Sequence, residues 1–211
     1  MQNRSISTKK ITSPKSHYSR AAKVLLGEGV VVLPVDTKLY GIVARAYSKK
    51  AVSKVFHAKG RDADKSCIIL ITSFKEVKEL GVVLSDVERL FLQDVWPGKV
   101  SVVLPQKTKK YAYLGRHGTL ALRMVGKQHI ALYRLLKKVG PLIAPSANPQ
   151  GLPPAKTITE AKKYFGKEDS KGVSLYISGG KRNGLPSTLV KIEKGEIVVL
   201  RQGSVQVKTT S

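Results

Sequence analysis

The chain is poor in cysteine, in acidic residues, in tryptophan and in long apolar runs, and each shortage excludes something. One cysteine in 211 residues, Cys67, forms no internal disulfide and builds no thiolate metal site, which fits a reducing cytoplasm. It lies in the run Cys-Ile-Ile-Leu-Ile and reads as a small core residue. His17, His57, His117 and His129 show no metal-ligand spacing, so no structural zinc is expected. No apolar run approaches the ~20 residues of a membrane span, and no basic amphipathic helix stands out, so no membrane partner is expected. No internal repeat is visible. Acids number 14 against 38 Lys and Arg, a formal charge of +24. Self-repulsion of that size points to polyanionic partners: nucleotide, RNA or both.

What is present suffices for one sizeable domain, since 42% of the residues are apolar. Residues 1–18 contain no acid and read as a flexible basic arm, with a transit peptide as the weaker reading. A domain is expected over 19–205 and a flexible tail over 206–211. Val30 to Leu33 is a β-branched run that reads as a buried strand, breaking at Pro34 into the polar turn Asp36-Thr37 and Tyr40. Ligands of open α/β sheets bind at such strand ends. A helix is predicted from Ser48 to Ala58, ending on Lys59-Gly60-Arg61, two cations around a permissive glycine, a pair suited to a polyphosphate.

Helices are also predicted over Ser19–Leu26 and Gln128–Val139, and capping-box spacing places helix starts at Ser73, Ser85 and Thr157. Strands are predicted at Cys67–Ile71, Lys99–Leu104, Thr119–Met124, Leu142–Ala144 and Val173–Ile177, with a closing hairpin of Leu189–Ile192 and Ile197–Leu200 around Lys194-Gly195. The expected fold is therefore α/β, a mixed sheet covered by helices. The loop from Lys107 to Gly118 interleaves Lys109, Lys110, Tyr111, Tyr113 and Arg116, either a stacking platform for single-stranded nucleic acid or a solvated loop. Ser146 and Asn148 stand two apart, which in extended chain points both to one face. A site of cations, hydroxyls and one amide, with neither a Walker motif nor a histidine base, narrows the chemistry to nucleotidyl or phosphoryl transfer.

Eight motifs occur in an order that resembles the YrdC/Sua5 family, across about Arg20 to Ser204: Pro34-Val35-Asp36-Thr37-Lys38-Leu39-Tyr40-Gly41, Lys59-Gly60-Arg61, Trp96-Pro97-Gly98, Ala121-Leu122-Arg123, Pro145-Ser146-Ala147-Asn148, Gly179-Gly180, Ser187-Thr188-Leu189-Val190 and Arg201-Gln202-Gly203. The resemblance implies a twisted sheet around a large, positively charged cavity. It implies a threonylcarbamoyl-AMP synthase that uses ATP, L-threonine and bicarbonate and releases pyrophosphate. The product serves N6-threonylcarbamoyl modification of adenosine at position 37 of tRNA, through the tRNA threonylcarbamoyltransferase machinery. Mg²⁺ is expected to enter through the ATP phosphates.

By the same resemblance Lys59 and Arg61 are the catalytic cations. ATP is expected on Lys59, Arg61, Thr119, Ala144, Ser146, Asn148 and Arg201, and threonine on Thr37, Arg123 and Ser187. The chain departs from the family pattern at Val35, where a threonine is usual, in a turn one residue longer, at Asp62 and Ser66, where prolines are common, and at Pro149-Gln150, where Leu-Ser is usual. Thr37 or a backbone group is expected to replace the hydroxyl missing at Val35. Two rival readings remain at this point. One is a non-catalytic RNA-binding protein of the same fold, for structured or double-stranded RNA. The other is a hydrogenase-maturation carbamoyltransferase, whose zinc-finger and acylphosphatase modules find no room here. Ending at Ser211, the chain reads as the short, single-domain form.

Overall fold

The computed structural model describes residues 14–60, 67–168 and 172–208. Most of the expected N-terminal arm and part of the expected tail lie outside them. Helix α1, Pro14–Leu26, starts before the helix expected from Ser19. The chain then forms β1 (Val31–Pro34), β2 (Tyr40–Arg45), α2 (Lys49–Ala58) and β3 (Ile68–Ile71). Next come α3 (Phe74–Glu79), α4 (Asp86–Val95), β4 (Val100–Pro105), β5 (Thr119–Met124), α5 (Ile130–Val139) and β6 (Leu142–Ile143). The last elements are α6 (Ile158–Phe165), β7 (Leu175–Tyr176), β8 (Thr188–Glu193) and β9 (Glu196–Arg201). No helix among the described residues is long and apolar enough to cross a membrane.

The strands make one mixed sheet in the order β7-β1-β2-β6-β3-β5-β4-β8-β9. Parallel pairs β7–β1, β3–β5 and β4–β8 are interspersed among antiparallel ones, the mixed sheet that the early βα alternation and late hairpin predict. β1 is buried on both sides. Val30 and Val32 face a core with Val52, Val55 and Phe56 of α2, Val77 of α3, Leu92 of α4 and Phe165 of α6. Val31 and Leu33 face a second core with Ala22 and Leu25 of α1 and Leu132, Leu135 and Leu136 of α5. Burial on both faces is why β1 reads as a continuous β-branched run rather than an alternation.

The sequence reading misses β2. Gly41-Ile42-Val43-Ala44 is buried throughout, so it lacks the alternation that marks a half-exposed strand. It folds back on β1 through a turn in which Lys38 takes a left-handed φ of 56°. This hairpin carries Asp36 and Thr37 at its tip.

The capping signals differ in outcome. Ser85 and Glu88 form a complete capping box, with the Ser85 hydroxyl accepting from the Glu88 amide and the Glu88 carboxylate accepting from the Ser85 amide at 2.8 Å. Thr157 accepts from the Glu160 amide, but the Glu160 carboxylate turns to the Lys156 amide. Ser73 makes no side-chain cap. Ser85→Ala is therefore expected to destabilise the fold by about 1 kcal/mol, read as a shift of the urea midpoint, because it removes one half of a reciprocal pair.

The Lys107–Gly118 loop exposes its cations Lys107, Lys109, Lys110 and Arg116, while its tyrosines turn toward the core. Tyr111 packs on Tyr47 with ring centroids 5.2 Å apart, and Tyr113 donates its hydroxyl to the Ala46 carbonyl at 2.8 Å. Tyr47, Tyr111 and Tyr113 are packed against the core, which takes up aromatic surface that stacked bases would need.

Candidate functional site

The ends of β1, β5, β8 and β9 and the turn after β6 surround a cavity of about 520 Å³. It collects residues that the sequence scatters over more than 160 positions: Thr37, Thr119, Arg123, Ala144, Ser146, Ser187 and Arg201. Seven of the ten candidate residues thus share one concavity. Arg61 lies outside the described residues. Lys59 and Asn148 are not in the wall itself and lie behind the Ser146 turn.

Lys59 caps the C-terminus of α2, where Gly60 turns the chain out with a φ of 56° and no neighbour near a would-be Cβ. The ammonium, 3% exposed, donates to the Ser146 carbonyl at 2.5 Å and also to the Asn148 carbonyl. In return the Lys59 carbonyl accepts from the Gln150 amide at 2.9 Å. Lys59 therefore holds the 146–150 turn to the end of α2. Asn148 donates its amide to the Pro149 and Leu152 carbonyls, while its Oδ1 is buried without a hydrogen-bond partner. This oxygen is an orphan acceptor buried behind the cavity wall.

Two guanidinium groups stand at the other side. Arg123, on β5, pairs with Asp36 of the β1–β2 turn at 2.6 Å, both side chains 3% exposed or less. Its Nε is buried and unpartnered. Arg201, at the end of β9, donates to the Ser187 carbonyl at 2.9 Å and more weakly to its hydroxyl at 3.4 Å. Burial first, and then the charge of Arg123, lower its pKa below the usual arginine value. Asp36 neutralises one cation, so a net positive charge remains for an anion to balance. The close approach of this segment needs Gly203: a Cβ there would meet the Pro186 carbonyl oxygen at 2.3 Å. Thr188 clamps the same segment, accepting from the Gly203 amide at 3.1 Å and donating to the Val205 carbonyl.

Some site features went unread in the sequence. Asp36 is visible there only as part of a polar turn, because its partner is 87 residues away. Ser101 is fully buried and shares a hydrogen bond of 2.8 Å with Ser187; the available signal was a lone hydroxyl in the run Val-Ser-Val-Val-Leu. Cys67, read as a core residue, is buried as expected but also lines the cavity. Val35 and Thr37 line it together, so a hydroxyl is present next to the position where the valine stands.

The chain has relatives among known proteins. A family model named Sua5/YciO/YrdC, described as "Telomere recombination", matches residues 23–203. Threonylcarbamoyl-AMP synthase of Klebsiella pneumoniae is 32% identical over 194 residues, covering 90% of this chain and 97% of that protein. Threonylcarbamoyl-AMP synthase of Pyrococcus abyssi is 34% identical over 188 residues, covering 87% of this chain. The match covers only 53% of the Pyrococcus protein, so the chain spans about half the length of that relative. Among solved structures, P. abyssi Sua5 complexed with L-threonine superposes with a TM-score of 0.76 at 28% identity, over 92% of this chain and 56% of that one. E. coli YciO, at 20% identity, shares the fold with a TM-score of 0.74 and 93% coverage of both chains.

Proposed function

The chain belongs to the Sua5/YciO/YrdC family, and from that premise we propose that it is an L-threonylcarbamoyladenylate synthase that joins L-threonine, bicarbonate and ATP. The observation that carries the reading is the convergence of Thr37, Thr119, Arg123, Ala144, Ser146, Ser187 and Arg201 on one cavity of nucleotide-plus-amino-acid size. In the reaction the amino nitrogen of threonine forms a bond to the carbon of bicarbonate with loss of one water, giving an N-carboxylate. One of its oxygens forms a bond to the α-phosphorus of ATP, and the bond from that phosphorus to the bridging oxygen breaks, releasing pyrophosphate. Negative charge grows on phosphate oxygens, so the protein's task is placement and charge stabilisation rather than proton abstraction.

The residues divide that task. Arg123, aimed by Asp36, takes the threonine carboxylate, with Thr37 and Ser187 beside it, since a fixed guanidinium matches a carboxylate fork. Thr119, Ala144, Ser146 and Arg201 border the nucleotide, and Asn148 offers the orphan Oδ1 as an acceptor. Lys59 and Arg61 serve the triphosphate, Lys59 also through the turn that it holds. Mg²⁺ arrives as part of the nucleotide substrate. The charge of +24 suits a cytoplasmic enzyme working close to tRNA and to the transferase that consumes the adenylate.

The test is an incubation with L-threonine, ¹⁴C-bicarbonate and Mg·ATP. Label should enter an AMP-linked product in step with pyrophosphate release, and leaving out any one substrate should abolish it. A purified, folded protein that gives no labelled nucleotide under these conditions would end the adenylating assignment.

A further inference from the structure

We infer that Ser101 is a positioning residue that fixes the direction of the Ser187 hydroxyl proton, so that Ser187 acts as a donor into the cavity. The inference deepens the synthase reading and rests on it. Ser101 sits on β4, where it is 0% exposed, and its neighbour Val103 lines the cavity. Its Oγ lies 2.8 Å from Ser187 Oγ, and either oxygen could donate in that bond. The partners available to each hydroxyl favour one direction. Ser187 is the only side-chain partner that the Ser101 hydroxyl has among the described residues, and no solvent reaches it.

If Ser187 donated, the Ser101 proton would be left unsatisfied in the interior, which costs about 1–3 kcal/mol. With Ser101 donating, only the acceptor lone pairs of its oxygen go unused, and no proton is left without a partner in the interior. Ser187 Oγ then accepts from Ser101 and, at 3.4 Å, from the Arg201 guanidinium. Both lone pairs are engaged. The Ser187 hydrogen is the one free element of the network, and it points where neither partner lies, to the cavity that Ser187 lines. With Arg123 and Arg201 also donor-only, this end of the cavity accepts an acceptor-only oxygen, a carboxylate or phosphate oxygen, and rejects a donor.

The experiment is a double-mutant cycle on product formation using Ser101→Ala, Ser187→Ala and the pair, with KM measured separately for L-threonine and for Mg·ATP. Ser101→Ala should raise the KM of the substrate whose oxygen Ser187 binds by about tenfold, the effect of one hydrogen bond to a charged acceptor. The KM of the other substrate and the melting temperature should change little, and the raised KM identifies the oxygen as carboxylate or phosphate. In the Ser187→Ala background the same substitution should do almost nothing, because there is no proton left to direct. Ser101→Thr, which keeps the hydroxyl, should restore most of the affinity. Equal losses in both backgrounds, or no loss in either, would overturn the inference. These outcomes differ from failure of the synthase reading itself, in which wild type gives no product at all. The arms then become isotherms of L-threonine and Mg·ATP binding, and an unchanged affinity for both in Ser101→Ala overturns the inference there.

Discussion

Asp36→Ala should lower the free energy of unfolding by about 3–5 kcal/mol, a large share of the 5–15 kcal/mol typical of a domain. The reason lies in what remains. Arg123 is 3% exposed, its Nε has no hydrogen-bond partner, and Asp36 is its anion at 2.6 Å. Without the carboxylate a guanidinium stays buried and unbalanced, close enough to Arg201 that its charge helps lower the Arg201 pKa. The pair need not stabilise the fold relative to an apolar pair of the same shape; the cost arises because only one partner is removed. Asp36→Asn keeps an acceptor and should lose less, and added salt should rescue neither variant, since the pair is shielded from solvent ions. Urea unfolding of the three proteins checks this. A loss below ~1 kcal/mol for Asp36→Ala would mean that Arg123 finds another counter-charge.

Most of the fold was legible because most elements carry local signals. Helix α4 is announced by Ser85 and Glu88 and closed by Trp96-Pro97-Gly98, and α5 by apolar residues at helical spacing ending on Gly140-Pro141. The β8–β9 hairpin follows from Lys194-Gly195, both at left-handed φ. The failures have a physical pattern. β2 was lost because a strand buried on both faces shows no period, and its pairing with β1 and β6 is a tertiary fact. The tyrosines of the 107–118 loop were ambiguous because whether a ring meets a base or another ring depends on Tyr47, more than sixty positions away.

The site shows the same division. Which segments meet at the cavity was visible in residue type, as hydroxyls, cations and glycines stand near strand ends at Asp36-Thr37, Ser146, Ser187 and Arg201. What the side chains do there was not. Arg123 and Arg201 look alike in sequence, yet one is neutralised by a carboxylate and the other rests on a carbonyl and a hydroxyl. Ser101 carried no motif. Its role depends on counting protons between oxygens 86 residues apart.

Lys59→Ala should reduce kcat/KM for product formation by about two orders of magnitude, through two effects that a single substitution removes together. One is the cationic charge that the synthase reading sets beside the triphosphate. The other is mechanical: the ammonium holds the Ser146 and Asn148 carbonyls, and without it the turn that carries a cavity hydroxyl and the orphan Asn148 oxygen is released from α2. Both carbonyls also lose a charge-assisted partner in a buried setting, so the melting temperature should fall as well. The two effects separate by position. If the clamp dominates, Gln150→Pro should mimic much of the loss, because it deletes the amide that binds the Lys59 carbonyl at 2.9 Å while leaving the charge in place. If the charge dominates, Gln150→Pro should retain most of the rate that Lys59→Ala loses. Steady-state kinetics and thermal melts of both variants decide the balance, and a Lys59→Ala enzyme within about twofold of wild type would remove the residue from the chemistry altogether.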